Sequence, residues 1–196
     1  FETIRYQADG AVATITMNRP EVANAQNSAL IDEIDAAFDL ADGDDAVRVV
    51  ILAGEGKHFS SGHDLKALVS GEGSDPWVAQ RETPEGKFRH EKTMYFDRCL
   101  RIHDFRKPTI AAVQGSCVAA GLMLAAMCDL IVAADDAVFS NPVLRLTGAG
   151  VELLVGHRLP RLSPMRAHGF GQAKMAEVAV GDFDVLNEVV WNARQD

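Results

Sequence analysis

The first pattern in the chain is an alternation of apolar and polar residues from Ala11 to Met17. A period of two predicts a strand with one buried side. An apolar run, Ile4 to Tyr6, precedes it, and Asp9-Gly10 lies between the two. Asp-Gly between apolar runs is a strong signal for a tight turn, so the chain is predicted to begin with a β-hairpin. The inward face of the second strand is predicted to be Ala13, Ile15 and Met17.

The next pattern has the helical period. Ser28 stands before apolar residues spaced three and four apart, and Asp42-Gly43 follows the last of them. Ser favours the N-cap position of a helix, so we expect Ser28 to cap this one. A continuous β-branched run, Val47 to Leu52, then predicts a buried strand. The apolar face of the helix is predicted to be Leu30, Ile31, Ile34 and Phe38.

The order of strand, loop and helix then repeats. After the strand at 47–52 a loop leads to a predicted helix from Asp64. The apolar run from Thr109 to Val113 predicts another strand, followed by a turn at Gly115 and a helix from Ala119. That helix carries no charge and is too short to span a bilayer, which indicates a buried helix. With a last strand at 130–133, the fold class is α/β.

Two segments differ from this repeat. Residues 69–92 are polar and rich in Gly, Ser and Pro, which predicts a mobile surface loop beside the site. Met94 to Asp104 is predicted to be helical, and Lys107-Pro108 ends it. The inward residues of this helix are expected to be Met94, Cys99, Leu100 and Ile102.

Composition restricts the class of protein. The chain has 196 residues, of which 47% are hydrophobic and 24% charged, as in one ordinary globular domain over 1–196. A net charge of −9 argues against nucleic-acid and anionic-membrane partners. The three cysteines predict buried reduced thiols, no His/Cys spacing indicates a metal site, and no signal peptide is recognised. We therefore expect a cytoplasmic protein.

Candidate chemistry lies where two loops meet helices. Ala119, Ala120 and Gly121 open the charge-free helix, whose first turn has unpaired N–H groups. Such donors suit an anion or a developing oxyanion, although small residues there often serve only close packing. A second Ser/Gly loop, Phe59 to Lys66, also leads into a helical pattern. Two loops of this kind can hold one oxygen between them.

Three motifs together resemble the crotonase superfamily, the enoyl-CoA hydratase/isomerase family. They are Asn18-Arg19-Pro20 with Asn24-Ala25, then Phe59-Ser-Ser-Gly-His-Asp-Leu65, then the block from Gly115 to Asp129. The match covers roughly residues 1 to 155. It implies a spiral of ββα units, a homotrimer or dimer of trimers, and a C-terminal helical region of which 157–196 is a short or incomplete remnant.

The resemblance also implies the ligand. In the family two backbone N–H groups bind the thioester oxygen of an acyl-CoA, and by position these belong to His63 and Ala120. CoA is part of the substrate, so no separate cofactor is expected. The CoA-contacting loops also contain Arg19 and Lys57, for which a solvated surface charge is the alternative. The expected binding residues are Asn24, His63, Asp64, Leu65, Lys66 and Ala120.

One feature departs from the family. The positions that carry the two acid/base glutamates in a typical hydratase are Met123 and Val143 here, and neither side chain transfers a proton. Classical hydration is therefore expected to be weak. Glu152, beside apolar residues in a segment that faces the acyl chain in the family, is the candidate replacement, and an isomerase or hydrolase of CoA thioesters that uses Glu152 is an alternative function. Stabilisation of a helix N-terminus is the alternative role of this residue. Asp64 and Asp129 are expected to be structural.

Two other functions are compatible with the residues. A non-catalytic binder of CoA thioesters needs the same loops without an acid or base. A hydrolase would use Ser116 or Cys117 as nucleophile, but there is no GxSxG pattern and no histidine is placed to serve either residue. The isolated histidines His58, His157 and His168 favour packing or exposed roles.

Overall fold

The chain begins with the predicted hairpin. A computed structural model describes residues 1–66 and 83–142. Strands β1 (Ile4–Asp9) and β2 (Val12–Met17) pair antiparallel, with Ile4 opposite Met17. Gly10 has φ +56° in the turn, a left-handed conformation that suits glycine. The predicted inward face of β2 is confirmed, since each of its three residues is fully buried.

Helix α1 covers Ser28–Gly43 and ends where Asp42-Gly43 predicted. Its predicted apolar face is buried in full. The predicted cap is wrong, because Ser28 is the first helical residue and Asn27 is the N-cap. Asn27 has an extended backbone, and its side-chain oxygen accepts a hydrogen bond from the Leu30 N–H at 3.0 Å. The cap therefore lies one residue before the position expected.

A five-stranded sheet carries the candidate site. Its order is β1-β2-β3-β4-β6, and every pair after the hairpin is parallel. The predicted bounds of β4 and β6 are confirmed, whereas β3 begins at Val49 rather than Val47, since Val47 is buried but precedes the pairing. The parallel strands point their carboxyl ends toward one edge, which brings the following loops together. Their bounds are β3 (Val49–Gly54), β4 (Thr109–Val113) and β6 (Leu130–Ala133).

Three further elements frame the site. Strands β5 (Ser116–Val118) and β7 (Val138–Ser140) form a separate parallel pair. Helix α4 (Ala120–Met127) follows β5 after Ala119 and is buried along most of its length, as its lack of charge predicted.

A helical segment occupies part of the predicted surface loop. Helix α2 (Pro84–His90) passes into a π-helical turn (Glu91–Phe96) and then into α3 (Asp97–His103). The loop prediction is therefore wrong for 83–92, while 67–82 lies outside the described residues. Thr83 caps α2 by accepting a hydrogen bond from the Gly86 N–H at 3.0 Å, and Pro84 occupies the first turn. This Thr-Pro pair is the start signal that the polar composition concealed.

The helical segment packs against the core as expected, with one exception. Met94, Cys99 and Ile102 are buried. Leu100, which was expected to face inward, is only partly buried. A polar seam joins α3 and the segment after it to α1. It consists of ion pairs of Arg98 with Asp32, Arg101 with Asp35 and Asp39, and Arg106 with Asp42.

The end of α1 is closed by a buried lysine. The ammonium group of Lys107 donates to the carbonyl oxygens of Ala41 and Asp44, each at 2.6 Å, and Lys107 is only 7% exposed. Carbonyls at a helix C-terminus lack partners within the helix and carry the negative end of its dipole, so a cation there is stabilising. Lys107 lies just before β4 and thus anchors the end of α1 to the start of that strand.

Glu33 of α1 holds the start of β1. Its carboxylate accepts hydrogen bonds from the N–H groups of Glu2, Thr3 and Ile4 and from the Thr3 hydroxyl. Burial alone would raise the pKa of Glu33, but the four hydrogen bonds outweigh it and the pKa is lowered from its ordinary value of 4.5.

A lowered pKa makes Glu33 a source of stability above pH 4.5 that is lost as the pH falls through the folded-state pKa. Glu33→Gln is expected to lower the free energy of unfolding at pH 7 by about 1 kcal/mol or less, since water competes for a partly exposed carboxylate. The loss should shrink in acid. Denaturant titrations at pH 7 and pH 3 measure it, with exposed Asp45→Asn as control. An equal loss at both pH values would contradict this role for the charge.

Candidate active site

The two Ser/Gly loops lie against each other. Ser60 and Cys117 form a parallel bridge, in which the Ser60 N–H donates to the Ser116 carbonyl at 3.0 Å. The Ser60 carbonyl in turn accepts from the Val118 N–H at 2.9 Å. The loop after β3 is therefore joined by backbone hydrogen bonds to the segment that leads into α4.

Two glycines allow this close approach. A Cβ on Gly62, whose φ is +92°, would lie 2.9 Å from the Val118 carbonyl oxygen and 3.5 Å from the Ala120 nitrogen. A Cβ on Gly121 would lie 2.8 Å from the Ser60 carbonyl oxygen. Both of these distances to carbonyl oxygens are shorter than real Cβ contacts, so a side chain at either glycine would force the backbone to shift. The residue before His63 thus has no room for a side chain on the side that faces Val118 and Ala120.

Ala119 sets the direction of the Ala120 amide. Its backbone has φ +47° and ψ −112°, a region that costs a non-glycine residue about 1–3 kcal/mol. The Ala119 N–H donates to the Ser140 carbonyl at 2.9 Å, which ties this strained residue to β7. Ala120 is the first residue of α4, and no carbonyl or side chain in 1–66 or 83–142 accepts its N–H. The strained residue Ala119 thus directly precedes Ala120, whose N–H has no acceptor within those ranges.

His63 is held beside Gln26. The two residues form a parallel bridge, in which the Gln26 N–H donates to the Gly62 carbonyl at 2.7 Å and the Asp64 N–H donates to the Gln26 carbonyl at 2.9 Å. The imidazole of His63 is partly buried and packs edge-on against the ring of Tyr95, with centroids 4.1 Å apart. Tyr95 belongs to the π-helical turn, a distortion that is frequent at functional sites.

Several residues expected to bind CoA hold this loop in place. Asn24 is fully buried: its side-chain oxygen accepts from the Arg19 N–H, and its side-chain nitrogen donates to the carbonyls of Glu55 and His58. Arg19 donates to a carboxylate oxygen of Asp64 at 3.0 Å. Asp64 thus has the supporting contact expected of a structural residue. CoA binding by Asn24 and Asp64 stays a prediction.

The remaining expected CoA residues lie at the surface. Leu65 is 62% exposed, an unusual degree for a leucine, and Lys57 and Lys66 are also exposed. These three side chains are open to solvent on the same loop that carries His63. Their contact with CoA stays a prediction.

Of the two positions that carry the acid/base glutamates in a typical hydratase, the structure describes Met123 but not Val143. Met123 is 2% exposed and lines a narrow, largely apolar cavity of about 10 Å³ between α1, α3 and α4. Its thioether neither donates nor accepts a proton. Val143 and the candidate base Glu152 lie outside the described residues, as do His157 and His168.

Burial argues against a hydrolase that uses Cys117 as its nucleophile. Burial raises the pKa of the Cys117 thiol to about 12, so the thiol is protonated at neutral pH and is a poor nucleophile. Burial likewise raises the pKa of Cys128. All three cysteines are free and buried. Asp129, expected to be structural, accepts hydrogen bonds from the N–H and the hydroxyl of Thr109, which confirms that expectation.

Gln26 is the residue that the motifs did not single out. It is 1% exposed and lines the cavity together with Ala120 and Met123. Its proximity to His63 comes from a bridge between distant parts of the chain, for which the sequence offers no local signal. Within 1–66 and 83–142, no cluster of three His, Cys, Asp or Glu residues could hold a metal ion, and no helix could span a bilayer.

Comparison with known proteins decides the family. The family model described as enoyl-CoA hydratase/isomerase matches residues 7–177. The chain belongs to the enoyl-CoA hydratase/isomerase family. It is 44% identical over 170 residues to the putative enoyl-CoA hydratase EchA13 of Mycobacterium tuberculosis, covering 80% of this chain and 53% of that protein. The chain thus spans about half the length of this curated relative of the family.

Solved structures agree on the fold. A probable enoyl-CoA hydratase from Mycobacterium smegmatis superposes with a TM-score of 0.64 at 46% identity, over 73% of this chain and 53% of that one. A putative enoyl-CoA hydratase/isomerase (crotonase) from Legionella pneumophila gives 0.70 at 30% identity, over 82% and 58%. The α/β crotonase-like fold of this family member is therefore confirmed. A single domain over 1–196, with a short or incomplete C-terminal helical region, stays a prediction.

Proposed function

We propose that this family member binds an acyl-CoA thioester with the thioester oxygen between the N–H groups of His63 and Ala120. The observation that carries the proposal is the contact of the two loops, which are joined by backbone hydrogen bonds between Ser60 and residues 116 and 118 and leave no room for a side chain at Gly62. Two backbone donors directed at one oxygen stabilise the charge of an enolate, and they do so best where water is excluded. CoA is part of the substrate here, so no separate cofactor is required.

The acid or base that moves the proton is a separate part of the proposal. Met123 is buried among apolar side chains, and neither it nor Val143 carries a titratable group. We assign proton transfer to Glu152, the carboxylate that follows Asn141-Pro142 in the sequence. Syn-hydration by two glutamates at the usual positions is accordingly expected to be weak, and a proton shift within the acyl chain is the favoured reaction.

A second candidate function is binding without turnover. The apolar surroundings of Met123 favour it, because they contribute nothing to proton transfer. Incubation with a panel of enoyl-, dienoyl- and hydroxyacyl-CoA esters separates the two. Product formation supports an enzyme, and tight binding with unchanged esters supports a binder. If the protein neither binds nor converts any ester of the panel, the proposed function is wrong.

Glu152→Gln is expected to lower kcat by roughly 10²-fold on the best ester found, with little change in binding. Glutamine keeps the size and the hydrogen-bonding capacity of glutamate but removes the base. Steady-state kinetics and a separate binding titration measure the two effects, and exposed Glu21→Gln is the matched control. Full activity of Glu152→Gln would show that Glu152 is structural.

The proposed assembly rests on the resemblance, whereas the proposed location and partners rest on the cysteines and the net charge. We propose a homotrimer or dimer of trimers in the cytoplasm, with no nucleic-acid or membrane partner. The mass of the particle in solution and fractionation of cells test these statements.

A further inference from the structure

The imidazole of His58 takes part in the contact between the two Ser/Gly loops. His58 directly precedes the first loop; its sequence favoured packing or an exposed role, and the structure leaves it partly buried. Its Nδ1 atom accepts a hydrogen bond from the Ser116 N–H at 3.1 Å. Ser116 begins β5, the strand that leads through Ala119 to Ala120. A side chain beside one loop thus binds the backbone of the other.

The backbone carbonyl of His58 has a different partner. Around the bridge of Ser60 with Cys117, the backbone hydrogen bonds follow the pattern of a parallel pair. Two residues earlier, the same pattern would direct the Ser116 N–H to the His58 carbonyl. That carbonyl instead accepts from the side-chain nitrogen of Asn24 at 2.8 Å. The imidazole therefore supplies the acceptor at the point where the regular backbone pairing stops.

Gly115 allows the chain to approach this ring. Its backbone has φ +54°, a left-handed conformation that suits glycine. A Cβ at Gly115 would lie 2.7 Å from His58 Nδ1 and 2.1 Å from the Lys57 carbonyl oxygen. A residue with a side chain could not replace Gly115 unless the imidazole or the backbone moved. The ring and the segment before β5 are thus in close contact.

The partner atom determines which ring nitrogen carries the hydrogen. A backbone N–H can only donate, so Nδ1 of His58 must accept, and the hydrogen of this neutral imidazole lies on Nε2. An N–H shielded from water is costly when it has no acceptor. If the imidazole were removed, water or a shifted backbone would have to satisfy the Ser116 N–H. Either replacement would loosen the segment from the first loop.

The two proposed donors belong to different parts of the structure. The His63 N–H lies on the loop after β3, which is a strand of the five-stranded sheet. Ala120 follows β5, which pairs with β7 in a separate two-stranded sheet. The distance between the two donors therefore depends on how the loop after β3 is held against β5. His58 and Ser60 both make hydrogen bonds at that junction.

We propose that His58 is a positioning residue, whose imidazole sets the distance between the N–H groups of His63 and Ala120. It does so by accepting the hydrogen bond from the Ser116 N–H. The inference rests on the proposed function, since it requires both donors to bind one thioester oxygen. It adds a residue that acts on recognition of the thioester carbonyl through the backbone and without contacting the substrate.

The test measures how much the thioester carbonyl contributes to binding. Butyryl-CoA and S-butyl-CoA differ only at that carbonyl, which is a CH₂ group in the second compound. Each is titrated calorimetrically into the full chain. The ratio of the two affinities reports the donors at the carbonyl, because the CoA and alkyl parts are shared. The parent is expected to bind butyryl-CoA more tightly than S-butyl-CoA.

Variants show whether the imidazole is responsible. His58→Leu removes the acceptor, and the affinity ratio should fall about fivefold, the effect of one neutral hydrogen bond. His58→Asn should restore the parental ratio, because its side-chain oxygen takes the place of Nδ1. His103→Leu, at an exposed histidine of α3, is the matched control and should behave like the parent. If His58→Leu does not fold, His58→Gln replaces it, since its oxygen lies one bond further from the backbone than Nδ1.

Nitrogen NMR of the parent checks the hydrogen bond itself. Isotope-labelled histidine should show the Nε2–H tautomer for His58, whose signal is identified by its loss in His58→Asn. The Nδ1–H tautomer would overturn the inference, because Nδ1 could not then accept from Ser116.

Two results with the variants would also overturn the inference. A parental ratio in His58→Leu, even with lowered stability, would mean that the imidazole serves only packing. A ratio lowered as much in His58→Asn as in His58→Leu would mean that the acceptor at Nδ1 is not what matters. If the parent binds both compounds equally, the proposed function fails together with this inference, whereas a parental ratio in His58→Leu contradicts the inference alone.

Discussion

Ala120→Pro should lower kcat by roughly 10²–10³-fold, the usual effect of removing one donor from an oxyanion site. Proline is tolerated in the first turn of a helix because the N–H that it lacks has no helical partner. Ala120 is the first residue of α4, so the change removes the donor that is proposed to bind the thioester oxygen and no hydrogen bond of the helix. If the protein is a binder without turnover, its affinity for acyl-CoA should fall relative to its affinity for free CoA, which has no thioester carbonyl.

Two controls accompany this variant. Ala29→Pro places a proline in the first turn of α1 at an exposed position, and should leave turnover and binding as in the parent. Circular dichroism shows whether Ala120→Pro folds, which matters because Ala119 is already strained. A folded Ala120→Pro protein with parental turnover and parental preference for acyl-CoA over CoA would rule out the Ala120 N–H as a ligand.

Gly62→Ala is expected to reduce turnover or thioester affinity by tenfold or more. The new methyl group would lie 2.9 Å from the Val118 carbonyl oxygen, so one of the two loops must move. Displacement of a catalytic group by about 1 Å can cost on the order of 10²-fold in rate. The φ of +92° adds strain of about 1–2 kcal/mol to the folded state.

The chain provides a matched control in Gly10→Ala. Gly10 also has a left-handed backbone, with φ +56°, but a Cβ there meets no atom within 4 Å. Both variants should unfold more readily than the parent, while only Gly62→Ala should impair the site. Unfolding midpoints and affinities measured side by side separate strain from displacement. Equal affinities in the two variants would show that loop contact does not matter for binding.

Local patterns predicted the central sheet well because the signal for each strand lies within a few consecutive residues. The alternation in β2 and the apolar run of β4 carry the signal within five or six residues. Helix α2 was missed since only His90 among its seven residues is buried, so no apolar face marks it. The cap of α1 was displaced by one residue, because Asn27 and Ser28 are both good caps and only geometry selects between them.

The residues of the candidate site could be predicted from the sequence only where the family motifs name them. The motifs place His63 and Ala120 on two loops, and the structure adds that backbone hydrogen bonds of the Ser60–Cys117 bridge join those loops. The buried side chain of Gln26 contacts the Ser60 hydroxyl, and these two residues are far apart in sequence. No window of the sequence contains that information. The binding and catalytic roles of the predicted residues stay predictions.

The two isolated bridges, Gln26 with His63 and Ser60 with Cys117, have a consequence for the order of folding. The β1–β2 hairpin closes over a two-residue turn and can form within microseconds. Each bridge, in contrast, closes a loop of several dozen residues, which is slow because chain entropy opposes it. We therefore expect the hairpin to appear early and the active-site loops to dock among the last events. A chain halted before that step would have strands and helices but no place for a ligand, so ligand binding would report the final step of folding.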